Sequence, residues 1–290
     1  MTRPVIVGVD GSLESLAAAD WAARDARRRN VPLRLAHAWM WQPHDMPDAQ
    51  DPDTQMQWAL RVLKDTAEDL RGRYPEVEIG TEQVTGTTAD VLLGQAEGAH
   101  MLVLGSHGHG AVAGFLLGSA GLQVLARANS PVVMVRANVR SGPQNDGGEV
   151  VVGLAAPDGT STPLLEFAFA EAAARGTSLH AVHAPDLPPL YGHGPVVGQL
   201  AAREGGITGR AETELTDALK PWRERYPQVP VAHTVELARP SGVVLRAALQ
   251  AGLVVVGRRT HRPALGMRIG PVTHAVLHHA AAPVAVVPHG

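Results

Sequence analysis

The sequence predicts an α/β protein made of two tandem doubly wound domains, each with a five-stranded parallel sheet. Three observations predict it. The 290-residue chain repeats itself at a spacing of roughly 145–152 residues; short β-branched and leucine runs alternate with longer Ala-rich amphipathic stretches; and runs such as VIVGV and MLVLG are apolar at successive positions. Continuous apolar runs mean strands covered on both faces, which requires a parallel sheet between two helix layers. Right-handed crossovers between such strands lead to a doubly wound, Rossmann-like arrangement, whereas a (β/α)8 barrel would need eight units in one ring.

The repeat is legible segment by segment. VIVGVDGS (5–12) faces VVGLAAPDG (151–159), with Gly8 against Gly153, and LRLAHAW (33–39) faces LHAVHAP (179–185), with His37 against His183. RYPEVEIG (73–80) faces RYPQVPVA (225–232), LVLG (102–105) faces VVVG (254–257), and SPVVMV (130–135) faces APVAVV (282–287). The offset grows before Tyr226 and holds afterwards, so a few residues are inserted ahead of that point. The domains are expected at 1–140 and 150–290, joined by a Gly/Pro/Asn-rich linker at 141–149, SGPQNDGGE. In the first copy strands are expected at about 4–9, 33–38, 77–84, 101–104 and 131–136, with helices at about 12–29, 54–72, 88–98 and 119–128. The last strands begin near a proline and read as sheet edges, which predicts pairing between the copies or between chains.

Composition removes whole classes of function. There is no cysteine, which excludes disulfide frameworks, thiolate metal sites and thiol redox chemistry. The two lysines, Lys64 and Lys220, lie outside any Walker A context, so a P-loop NTPase is excluded. Residues 1–140 carry 13 basic and 16 acidic side chains, and residues 141–290 carry 12 of each. Neither half has the basic excess that nucleic-acid binding needs. No apolar run reaches a membrane span and the start lacks a signal-peptide layout, so the expected compartment is the cytoplasm.

Two places carry chemistry. Strand one ends at Asp10, followed by Gly11 and by Ser12, a candidate helix N-cap; the aspartate stands where open α/β sheets bind ligands, and equally fits an Asx turn. The stretch LVLGSHGHGAVAGFLLGSAG (102–121) runs from a buried strand through glycines 105, 108, 110, 114 and 118 into a helix opening at Ser119. Glycines let backbone N–H groups approach a ligand, and a helix N-terminus favours an anion. No Lys or Arg lies between Gly105 and Ala126, so a phosphate there would be held by amides, the Ser119 hydroxyl and a divalent cation. Tight packing alone would also explain such a glycine-rich run.

Gly105–Ser106–His107–Gly108, nine residues, then Gly118–Ser119 resembles the G-x2-G-x9-G-[ST] pattern of the ATP-binding universal stress proteins. The resemblance spans the chain as two tandem domains, through Asp10, His37, GTTADVLL (86–93) and SPVVMV. It implies ATP, with Mg2+, at the sheet crevice. Ala38 and Leu104 would flank adenine, Val9 and Asp10 would lie on the nucleoside or metal side, and Gly105 and Gly108 near the ribose and first phosphates. Gly118, Ser119 and Ala120 would hold the distal phosphates. It also implies dimer-like pairing of domains, hence an expected homodimer, with a protein partner as the receiver of the signal.

The second copy departs from the pattern. Asp10 aligns with Ala155, Gly108 with Thr260 and Ser119 with Pro271, while Gly105 and Gly118 recur as Gly257 and Gly270. ATP is therefore not expected there, and the second domain is read as structural or partner-binding. Its loop carries Arg258, Arg259, Arg262 and Arg268, which either capture an anionic partner or sit solvated. His274 and His278 are four apart, yet no third ligand or HExxH arrangement accompanies them, and the acidic stretch 44–53 lacks the EF-hand pattern. Trp39 and Trp41 either stack on a base or fill the core. No nucleophile–base pair is visible, so the leading reading is an ATP-binding stress-response regulator. A slow ATPase-type switch and a nucleotide-free interaction module are the alternatives.

Overall fold

The computed structural model describes residues 3–39, 52–108, 115–116, 118–137, 147–185, 206–260 and 269–290. The chain divides into two units, Met1–Pro143 and Gln144–Gly290. In the first, β1 (Val5–Gly8), β2 (Leu33–Trp39), β3 (Ile79–Thr85), β4 (Met101–Gly108) and β6 (Val132–Arg136) form a parallel sheet in the order β3-β2-β1-β4-β6. Helices α1 (Leu13–Arg29), α2 (Pro52–Arg73), α3 (Thr88–Ala96) and α4 (Ser119–Arg127) are the crossovers. The second unit repeats this with β7 (Val150–Leu154), β8 (Leu179–His183), β9 (Val231–Val235), β10 (Leu253–Arg259) and β11 (Val284–His289), in the order β11-β10-β7-β8-β9. Its helices are α5 (Thr162–Arg175), α6 (Ile207–Arg225), α7 (Pro240–Ala247) and α8 (Pro271–His279).

The apolar runs lie where continuous burial requires them. Val5, Ile6 and Val7 are fully buried, as are Val150, Val151 and Val152. Trp21 and Phe169 are the largest buried side chains, each supplied by the first helix of its unit. In the second unit Phe169, Trp222 and Tyr226 stack, with ring centroids 5.7–6.5 Å apart. Both first helices end on a left-handed residue, Asn30 (φ 53°) and Gly176 (φ 63°), which frees the chain to turn into the next strand.

Each first helix also buries one acid. Asp25 has no exposed side chain and pairs with Arg29 at 2.8 Å and Arg28 at 3.7 Å; Glu171, equally buried, pairs with Arg175 at 3.2 Å. An acid at the same place in both helices is a trace of the duplication that the strand matches alone did not reveal.

Two elements differ from expectation. β4 runs four residues beyond 104, and residues 115–116, expected as loop, form a short strand β5 (Phe115–Leu116) antiparallel to it through His107–Leu116 and Gly108–Phe115. Glycine-rich composition signals conformational freedom, and here the freedom lets the chain fold back on its own strand. Most of the expected linker, Trp41, His109, Arg262, Arg268 and most of the acidic stretch 44–53 lie outside the described residues.

Candidate functional site

In the first unit a crevice of about 210 Å³ opens at the C-terminal ends of β1 and β4, where the neighbouring crossovers leave to opposite faces of the sheet. Val9, Asp10, Ala38, Leu104, Gly105, Gly118 and Ala120 all line it. The strand ends position the first five, and the opening turn of α4 positions the last two. Gly108 stands at the end of β4, next to residues outside the description, and exposed Ser119 is not among the lining residues.

The turn after β1 is a hydrogen-bonded unit. Asp10 Oδ1 accepts from the Ser12 N–H at 3.0 Å and the Ser12 hydroxyl at 2.6 Å, while Ser12 Oγ accepts from the Ser15 N–H at 3.2 Å and so caps α1. Ser15 closes the unit, accepting from the Asp10 N–H at 3.3 Å and donating to the Ser12 carbonyl at 3.0 Å. The two readings of Asp10 therefore coincide: the Asx turn holds its exposed carboxylate at the crevice. Gly11, at φ 82°, makes the turn feasible.

Gly105 is required by packing. A Cβ there would lie 2.5–2.6 Å from the backbone of Glu14 and Ser15, so only glycine lets β4 pass against the first turn of α1. Gly118 is different, for among the described residues a Cβ there meets nothing within 4 Å. It is the N-cap of α4, with φ −52° and ψ 150° and, among the described residues, no side-chain cap hydrogen bond. Gly118, Ala120 and Gly121 of that opening turn line the crevice, and no described lining residue is a lysine or arginine.

His37, noted in the sequence as a repeat marker and a point of family resemblance but not as a site residue, also lines the crevice. Its Nδ1 donates to the Val9 carbonyl at 2.6 Å, tying β2 to the turn, and its ring lies 6.3 Å from Trp58 at 74°. Trp39, expected as a candidate base-stacking residue, is not among the lining residues, and Trp58 is the half-exposed aromatic beside the turn. Ser15, Thr88 and Met134 were not singled out from sequence, because single small or apolar residues carry no motif. Beside the crevice, the Thr87 hydroxyl and the Arg127 guanidinium at 2.9 Å hold the Asp90 carboxyl below its usual range, joining α3 to α4.

The second unit keeps the scaffold and changes the lining. His183 Nδ1 donates to the Leu154 carbonyl at 3.0 Å, as His37 does to Val9. Ala155 does stand at the Asp10 position, but a carboxylate is not lost from the loop. Asp158 Oδ1 accepts from the Thr160 N–H at 2.9 Å and hydroxyl at 2.5 Å, repeating the Asp–Gly–hydroxyl turn three residues later. Aligning on Gly153 hid it, because the extra residues are taken up in a 3-10 turn at Gly159–Ser161 ahead of α5. Thr260 uses its N–H and hydroxyl on the His289 carbonyl, at 2.8 and 3.0 Å, and Pro271 opens α8. Of the arginines read as solvated or anion-capturing, Arg258 is buried and Arg259 lines a crevice. His274 and His278 have ring centroids 4.2 Å apart, and among the described residues no group of three or more metal-ligating side chains forms. No described helix is long and apolar enough to cross a membrane.

The family model described as the universal stress protein family matches residues 1–136 and again 149–288. A universal stress protein of Mycobacterium tuberculosis is 36% identical over 292 residues, covering 97% of this chain and 96% of that protein. One from Mycolicibacterium smegmatis is 34% identical over 300 residues, covering 98% and 96%. The crystal structure of a universal stress protein from Archaeoglobus fulgidus superimposes with a TM-score of 0.73 at 18% identity, over 99% of this chain and 98% of that one, and so shares the fold.

Proposed function

This chain belongs to the universal stress protein family, and on that premise we propose that its first domain binds ATP, with Mg2+, as a regulatory ligand. The observation that carries the reading is the opening of α4 at Gly118, at a crevice whose described lining has no lysine or arginine. Such a cradle binds phosphate through amide N–H groups and the helix dipole, and it supplies no cation to stabilise a transferring phosphoryl group. Binding that alters contacts with a partner follows more naturally than turnover. Asp10 is the acid among the described lining residues, and an exposed carboxylate oxygen suits a Mg2+ that keeps most of its waters. The cation would supply the positive charge that the lining lacks. Ala38 and Leu104 offer apolar surface to a base.

The test is calorimetric titration of ATP with Mg2+ into the wild-type chain and into Asp10→Glu/Gly118→Ala. Among the described residues nothing crowds a methyl group at Gly118, so the double variant should fold. Its affinity should fall at least about tenfold, or about 1.4 kcal/mol, from a wild-type stoichiometry of one per chain. Unchanged affinity removes the assigned site, and two nucleotides per chain by native mass spectrometry contradicts a single nucleotide domain.

A further inference from the structure

The second domain has its own crevice, of about 280 Å³, at the C-terminal ends of β7 and β10. We propose that it binds a small monocarboxylate with a compact apolar body, the carboxylate pairing with Arg259. The inference does not depend on ATP binding in the first domain.

The lining argues for an apolar guest. Relative to the first crevice, Ala36 is replaced by Val182, Thr88 by Pro240, Ala120 by Val272 and Asp10 by Ala155. Each of these four changes adds apolar surface or removes a polar group, while Thr273, Arg259 and His289 add polar groups elsewhere in the lining. The floor is made of Leu154, Val182, Val244 and Val256, all buried, with Leu164 on the helix side. Hydroxyl groups that could serve a polar guest already have partners. Thr273 Oγ1 donates to the Gly257 carbonyl at 2.7 Å, Thr160 Oγ1 donates to Asp158, and Ser161 Oγ donates to the Ala156 carbonyl. An apolar floor with a few polar groups around it is the usual form of a small-molecule site.

The polar group is Arg259. It lies at the end of β10, is exposed, and lines the crevice, and it makes no ion pair within 4 Å among the described residues. A guanidinium matches a carboxylate bidentately. The groups facing it limit the charge it accepts to one. Asp158 lies in its field, its carboxyl held below the usual range chiefly by the Thr160 hydroxyl and also by Arg259. His289 lines the same crevice and is pushed toward the neutral form, mainly by burial and also by Arg259 and Arg258, so it adds no second positive charge. At the opening of α8 a triphosphate would find Pro271, which has no N–H. A single carboxylate held by Arg259 does not need that amide.

The experiment titrates the full chain with benzoate and with hexanoate, followed by ligand-observed NMR, with benzyl alcohol as the neutral counterpart. Both acids should saturate one site with a dissociation constant of about 1 mM or tighter, and benzyl alcohol should bind at least about tenfold more weakly. Arg259→Gln, at an exposed position, should weaken the acids by about tenfold with an unchanged melting temperature, while Asp10→Glu/Gly118→Ala should leave them unaffected. Saturating ATP should not displace them. Absence of saturation by both acids at 10-fold that concentration, equal binding of benzyl alcohol, indifference to Arg259→Gln, or displacement by ATP would each overturn the proposal. ATP binding itself is read from the separate calorimetric titration, so the two readings fail independently.

Discussion

Gly105 and Gly257 occupy matching places in the two domains, yet adding one methyl group to each should have very different effects. At Gly105 the new Cβ would stand 2.5 Å from the Glu14 carbonyl carbon and 2.6 Å from the Glu14 oxygen and the Ser15 nitrogen. Ordinary contact needs roughly 3.4 Å or more, so α1 and β4 must separate by close to 1 Å, against the packing of a helix whose Ala18, Ala19 and Ala22 are fully buried. Overpacking of this kind costs about 1–3 kcal/mol, and because the neighbours are backbone atoms of one α1 peptide unit, Gly105→Ala should cost about 2 kcal/mol or more. For a unit of this size that lowers the melting temperature by roughly 6 °C or more. At Gly257 the nearest atoms are the His289 ring, at 2.6 and 2.7 Å, and Leu164 Cδ2 at 3.0 Å. Those are side-chain ends that can rotate, so Gly257→Ala should cost about 1 kcal/mol or less. Differential scanning calorimetry of the two single variants compares them directly. If Gly105→Ala melts within about 2 °C of the wild type, or Gly257→Ala is the less stable of the two, the reasoning from backbone clearance is wrong.

Asp25→Asn should destabilise the first domain by about 3 kcal/mol, since it removes the charge facing Arg28 and Arg29 while leaving both arginines in place; a urea midpoint near that of the wild type would refute it. Burial, aided by Arg29, pushes the His100 imidazole down from 6.5 to about 4. The folded state thus favours its neutral form, so this contribution is fully present above about pH 6.5 and is lost as pH falls toward 4. After allowance for partial exposure it is on the order of 2 kcal/mol, and His100→Gln should flatten that part of the stability profile in urea titrations between those pH values.

Much of this architecture could be read from the chain. Val5–Val7, Leu102–Leu104 and their counterparts are apolar at every position because both faces of their strands are covered, and a pattern of that kind survives any loop change. The crevice was partly legible for the same reason: Asp10, Gly105 and Gly118 are residue types that a tight turn, a close approach and an open helix cap need. What escaped were contacts made across the fold. His37 reaches Val9 over 28 residues, Trp58 lies beside the turn from a different helix, and Asp158 was missed because alignment follows strands while the insertion lies in a turn. Arg258 and Arg259 illustrate the limit well, since consecutive residues on a strand point to opposite faces, burying one arginine and leaving its neighbour at the crevice mouth.

Carrying both crevices on a single polypeptide has a consequence for heredity. In a symmetric pair of identical subunits every substitution strikes both sites at once, and a loss in one is a loss in both. Here Pro271 alters the rear crevice alone, and Ser119 stays untouched in the front. Two copies on one chain leave each crevice free to change on its own, while the strands beneath them keep a common pattern.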